Sequence, residues 1–129
     1  MNNQNVKILV IEDDEYSRDA LAHLLVAEGY QAQSANDGET GLEKAQEMQP
    51  DVIVLDLNLP GIDGKQVIEK IRGDGPLRSV PILVITGDED RTAQAAVDLG
   101  ADGYLTKPLE FDDLIKAISG MKSKPVGAS

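Results

Sequence analysis

The chain has no cysteine. Disulfides, thiolate metal sites and thiol nucleophiles are therefore excluded. It also has no tryptophan, and its aromatic residues are Phe111 and three tyrosines, so its core must be aliphatic. Positive charge is short. Twelve lysines and arginines stand against 23 aspartates and glutamates, a formal net charge of −11. Such a surface repels phosphate backbones and anionic lipid heads, which argues against nucleic acid or a membrane surface as a partner of this chain alone. No apolar run approaches the roughly 18 residues of a membrane span. The opening MNNQNVK lacks the apolar stretch of a secretory signal. The expectation is a cytoplasmic protein.

What is present is a repeating pattern. A length of 129 residues suits one domain, and a domain of that size buries roughly 65–70% of the surface of its unfolded chain. Short aliphatic runs recur: VKILVI (6–11), the weaker YQAQSA (30–35), VIVL (52–55), VPILVIT (80–86) and GYLT (103–106). The first, third and fourth are almost wholly apolar, as parallel strands covered on both faces should be. The segments between them have helical spacing. Leu21, Leu24 and Leu25 share a face in YSRDALAHLLVAEG, which stops at Gly29. Asn36 and Glu39, then Asp63 and Gln66, stand at capping-box spacing before the next two helices. DRTAQAAVDLGA stops at Gly100, and EFDDLIKAISGM carries Phe111, Leu114, Ile115 and Ile118 on one stripe. Tyr30 and Phe111 are expected in the core, and His23, off the leucine face, at the surface. A β-α unit repeated five times, with right-handed crossovers, gives an α/β fold with a doubly wound, open parallel sheet. Residues 1–121 form the expected domain, and 122–129 a polar tail or linker stub.

Ligand sites in such sheets lie beyond the carboxyl ends of the strands. The first strand delivers EDDE (12–15) there, the third Asp56, the fourth Thr86 and Gly87, and the fifth Lys107 and Pro108. Packed carboxylates do not all stay ionised without a cation. Oxygen ligands of this kind suit Mg²⁺. A carboxylate beside Mg²⁺ can attack phosphorus and become an acyl phosphate, while a lysine and a threonine hydroxyl hold the other phosphoryl oxygens. Asp14 suits the N-cap of the first helix. Because Asp63 already caps the helix after LNLPGIDG, Asp56 reads as a phosphate acceptor rather than a cap. Taken singly the signals are plain: Thr86 suits any strand, Lys107 any surface and Tyr104 any core.

In order and spacing, VIEDD (10–14), DLNLPGIDG (56–64), VITG (84–87) and YLTKP (104–108) resemble the receiver domain of two-component response regulators, over essentially residues 6–120. The resemblance implies a flavodoxin-like (βα)5 fold with a five-stranded parallel sheet in the order 2-1-3-4-5. It implies that Asp56 is the phosphoacceptor. Asp13 would be a direct Mg²⁺ ligand, Glu12 would act through water, and the backbone carbonyl of Asn58 would complete the protein ligands with Asp56. Thr86 and Lys107 would contact the phosphoryl group, and Thr86 with Tyr104 would form the switch. The Lys107–Pro108 bond looks like the family's cis peptide, which would aim the lysine inward. Asn58 and Asp88 occupy the positions that help set the dephosphorylation rate. The partner would be a sensor histidine kinase or a histidine phosphotransfer protein. The output face would be the fourth helix, fifth strand and fifth helix, used by a partner or by a homodimer. Such a domain catalyses only its own phosphorylation and dephosphorylation.

Two other functions compete. A magnesium-dependent aspartyl phosphatase needs a second aspartate two residues after its nucleophile, where this chain has Asn58, and no cap insertion is visible. A flavodoxin-type electron carrier needs a Ser/Thr/Gly phosphate cradle in its first loop, and EDDEYS would repel a flavin phosphate.

Overall fold

The computed structural model describes residues 5–59, 61–73, 75–87 and 91–122. Strands β1 (Lys7–Ile11), β2 (Gln31–Ala35), β3 (Val52–Asp56), β4 (Ile82–Thr86) and β5 (Gly103–Thr106) alternate with helices α1 (Glu15–Ala27), α2 (Gly38–Met48), α3 (Gly64–Gly73), α4 (Arg91–Leu99) and α5 (Phe111–Lys122). The strands form one parallel sheet in the order β2-β1-β3-β4-β5. This is the flavodoxin-like arrangement, and the strand order reverses about β1.

The apolar runs are continuous because both faces of the sheet are covered. Leu9, Ile11, Ile53, Leu55, Ile82 and Val84 pack against Ala45, Val67, Ile68, Ile71 and Ala96 of α2, α3 and α4. Their strand neighbours Ile8, Val10, Val52, Val54, Leu83 and Ile85 pack the other way, against Leu21, Leu25, Leu114 and Ile118 of α1 and α5. Successive side chains of a strand point to opposite faces, so a strand covered twice has no polar position to offer. β2 is an edge strand, and its alternate residues are exposed, which explains its weaker pattern. Its residues 31 and 35 bond β1 through Gln31 N–H to Val6 O and Ala35 O from Glu12 N–H. The carbonyl of Ser34 therefore faces outward, where Lys44 Nζ of α2 donates to it at 2.6 Å.

The helix starts follow local chemistry. Asp14 Oδ2 accepts from Ser17 N–H at 2.9 Å and caps α1. Asp63 and Gln66 form a reciprocal capping box, with bonds of 2.9 and 3.0 Å. At α2 the expected Asn36–Glu39 box is displaced by one residue: Asp37 is the cap, and its Oδ1 accepts from Thr40 N–H at 2.7 Å. A second expectation fails at Phe111, which is 49% exposed rather than in the core. It opens α5, and the buried stripe starts one turn later at Leu114. Tyr30 is buried and His23 exposed, as expected. The short 3-10 turn at Gly75–Leu77 has no periodic signal in the sequence. No described helix is long and apolar enough to cross a membrane. Of the segment 122–129 expected as a tail or linker stub, Lys122 ends α5, and 123–129, like Pro60 and Asp88, lie outside the described residues.

Candidate functional site

Four strands end at the same place. β1 runs out at Ile11, and Glu12 N–H still bonds Ala35 O at 3.0 Å, so the ladder carries Glu12 to the rim of the sheet. The turn that follows is closed by Asp14 N–H, which donates to Glu12 Oε2 at 3.0 Å. Arg18, one turn into α1, donates to the carbonyls of Glu12 and Asp13 at 3.1 and 3.3 Å. The sequence reading passed over Arg18, although a cation four residues after an N-cap aspartate is placed to reach back over the helix start.

Asp56 is the last residue of β3 and is 2% exposed. Its Oδ1 accepts from Asn58 N–H at 2.9 Å, and its Oδ2 from Lys107 Nζ at 2.9 Å. The loop after it turns tightly. Gly64 N–H bonds Leu57 O at 3.2 Å, and a Cβ on Gly64 would lie 2.6 Å from Leu57 Cα, so only glycine fits at the start of α3. Thr86 ends β4, 1% exposed, beside Thr106 of β5. Lys107 N–H donates to Thr86 O at 2.9 Å, and the Lys107–Pro108 bond is cis.

One carboxylate oxygen from each of Glu12, Asp13 and Asp56 lies within 4.8 Å of the others. Glu12 and Asp56 are buried, and Asp13 is exposed. Burial pushes the Glu12 carboxyl up to about 7; the bond from Asp14 N–H opposes this, and the nearby Asp56 adds to it. Burial would lower Lys107, but the hydrogen bond and charge of Asp56, with the charges of Glu12 and Asp13, outweigh it and raise its pKa. The structure thus brings together Glu12, Asp13, Asp56, Thr86 and Lys107, with the Asn58 backbone beside them. Tyr104 stands apart on β5, opposite Val84 and 45% exposed, so plain core packing does not describe it.

A cleft of about 270 Å³ borders the site, lined among others by Glu12, Ser17, Leu21, Lys107, Leu109 and Phe111. Its floor is apolar, and its charged end belongs to the acidic cluster.

The family model "Response regulator receiver domain" matches residues 8–119. The response regulator MprA of Mycobacterium tuberculosis is 35% identical over 128 residues, covering 97% of this chain and 55% of its own length. This chain spans about half the length of the curated relatives it matches. Among solved structures, the chemotaxis protein CheY4 of Vibrio cholerae is similar with a TM-score of 0.85 and 31% identity, over 90% of this chain and 98% of that one. A signal receiver domain of a signal transduction histidine kinase from Syntrophus aciditrophicus is similar with a TM-score of 0.86 and 26% identity, over 96% of this chain and 94% of that one.

Proposed function

Since the chain belongs to the response regulator receiver family, we propose that it is a phosphorylation-driven signalling switch with Asp56 as acceptor. Residues 1–121 are assigned to that function and 122–129 to a polar tail or linker stub. The observation that carries the reading is the setting of Asp56. Its carboxylate is buried at a strand end, held on one oxygen by Asn58 N–H and on the other by Lys107, with two more carboxylates at its side. Burying an acid is costly unless it is paired or binds a metal, and one ammonium among three carboxylates leaves negative charge for a cation to balance.

The donor set fits Mg²⁺. It is all oxygen, and it gathers three acidic groups about the ammonium of Lys107. Asp13 and Asp56 would hold the ion directly, Glu12 through water, and Asn58 through its backbone carbonyl. Bound there, Mg²⁺ would neutralise negative charge on the transferred group.

The donor is a phosphohistidine of a sensor histidine kinase or of a histidine phosphotransfer protein, or a small acyl phosphate. An Asp56 oxygen attacks phosphorus, a P–O bond forms, and the P–N bond to the donor imidazole breaks, with the electron pair leaving on nitrogen. Lys107 and the Thr86 hydroxyl hold the phosphoryl oxygens. The protein catalyses only this modification and its reversal. Asn58, in place of a second aspartate, counts against a magnesium-dependent aspartyl phosphatase. The output follows from Thr86 and Tyr104. When Thr86 turns toward the phosphoryl group, Tyr104 moves inward from its exposed position, and the α4-β5-α5 face changes shape for a partner or for a second copy as a homodimer. The net charge of −11 keeps nucleic acid from this domain. The location assigned is the cytoplasm, with no membrane partner.

Acetyl phosphate with Mg²⁺ should add one phosphoryl group by intact mass, and Asp56→Asn should gain none. A normal mass gain in Asp56→Asn would overturn the assignment. In the same assay Thr86→Ala should still be modified, while the NMR shifts that reach residues 103–112 in the parent protein disappear.

A further inference from the structure

At the end of the sheet opposite Asp56, Arg72 in the last turn of α3 reaches two other segments. Nε and Nη2 donate to Gly100 O at 2.9 and 2.7 Å. Nη1 donates to Arg78 O and Val80 O at 3.0 and 2.8 Å. Nη2 also meets Asp102 Oδ2 at 2.9 Å, and that same oxygen accepts from Ile82 N–H at 2.8 Å. A guanidinium has five N–H groups in a rigid fork, and here five contacts tie α3 to the entry of β4 and to the turn between α4 and β5. The turn is shaped for this. Gly100 has φ +121, and a Cβ there would lie 3.0 Å from Arg72 Nε.

The rest of α4 is held lightly. Among its described side chains, residues 94–99, Ala96 is buried and Ala95 and Leu99 are half-buried. Small side chains give little area to resist sliding. Among the described residues the helix is tethered at Gly100, and in the chain its other end follows Thr86 and the acidic site. From Ile82 to Thr86 the strand spans four steps, roughly 13 Å.

We infer that Arg72 is the anchor of a swing in α4: modification of Asp56 displaces the N-terminal part of the helix while the α4–β5 turn stays pinned. This rests on the proposed switching function. Without the anchor, the same event would shift the whole helix and lose its direction at the α4-β5-α5 face. Arg72 acts through Gly100 and Asp102, so it is a positioning residue.

The experiment is hydrogen exchange with and without beryllofluoride and Mg²⁺ on the full chain, with bound beryllofluoride followed by fluorine NMR. In the parent protein, exchange should change in residues 91–95 and stay constant in 97–103. In Arg72→Lys, which keeps the charge but loses the fork, and in Asp102→Asn, residues 97–103 should exchange roughly tenfold faster before any addition. On addition their change should spread through 97–103, although fluorine NMR shows normal binding. Uniform change across 91–103 in the parent protein, or variants that confine the change as the parent does, would overturn the anchor. Absence of a bound fluorine signal in the parent would overturn the switching function and the swing with it, and is distinguishable from either result.

Discussion

The two ends of the sheet treat charge in opposite ways. At the amino ends of the strands, Lys7 Nζ lies 2.6 Å from Met48 O, Asp51 takes the Lys7 N–H at 2.7 Å, and Arg72 is bonded by every arm of its fork. Each of these charges has a partner and fixes backbone. At the carboxyl ends, Glu12, Asp13 and Asp56 crowd together, and the carboxyl of Glu12 is pushed up to about 7. A chain with a surplus of acids has ample solvated surface on which to place them. Burying two of them at one rim opposes stability, and the fold alone gives no reason for that position.

The contrast is broken most severely at Arg72. Arg72→Met removes the guanidinium from the carbonyls of Arg78, Val80 and Gly100 and from Asp102, which keeps the Ile82 N–H, and should lower unfolding free energy by roughly 2–4 kcal/mol. Urea denaturation measures it, and a loss below about 0.5 kcal/mol, the range of ordinary surface substitutions, would erase the difference between the ends. At the opposite rim, removing a charge should have the reverse sign. Asp13→Asn relieves carboxylate repulsion and should raise stability in metal-free buffer by about 1 kcal/mol, while modification of Asp56 with Mg²⁺ fails. Thermal unfolding in chelator together with intact mass reads both, and a destabilised variant would show that the rim holds no such tension.

The smallest effect sharpens the comparison, because Asp37 is an acid just beyond β2 at the same rim that serves structure alone. Its bonds from Thr40 hold its pKa below the ordinary value of 3.8. A carboxyl lowered by folding stabilises fully above its unfolded pKa, and that contribution is lost as pH falls through the folded one. Asp37→Ala should therefore cost about 1 kcal/mol at neutral pH. The cost should shrink below pH 4 and leave phosphorylation unchanged. A cost that grows on acidification would contradict the capping role.

Much of this was legible in the chain. The central strands announce themselves because two covered faces leave only apolar positions, and Asp56 stands out because it ends such a run. Asp14, Asp63 and Gln66 are legible because capping acts over three residues. The failures are local or distant. Asn36 and Asp37 are both competent caps, and only the path of the backbone selects the second. Phe111 fits the apolar spacing of α5 but sits in its first turn, beside the cleft, where the sheet no longer covers it. Arg72 reads as an ordinary cation near a helix end. Its partners are mostly main-chain carbonyls 6 to 28 residues away, which carry no side-chain signature.

The bond from Lys44 to Ser34 O bears on how copies of this chain meet at high concentration. An outer strand presents open donors and acceptors on which a strand of another molecule can add, and an outward carbonyl already held by an ammonium is a poor template for that. The Ser34 carbonyl is thus one acceptor of the β2 edge that is not open to such an addition.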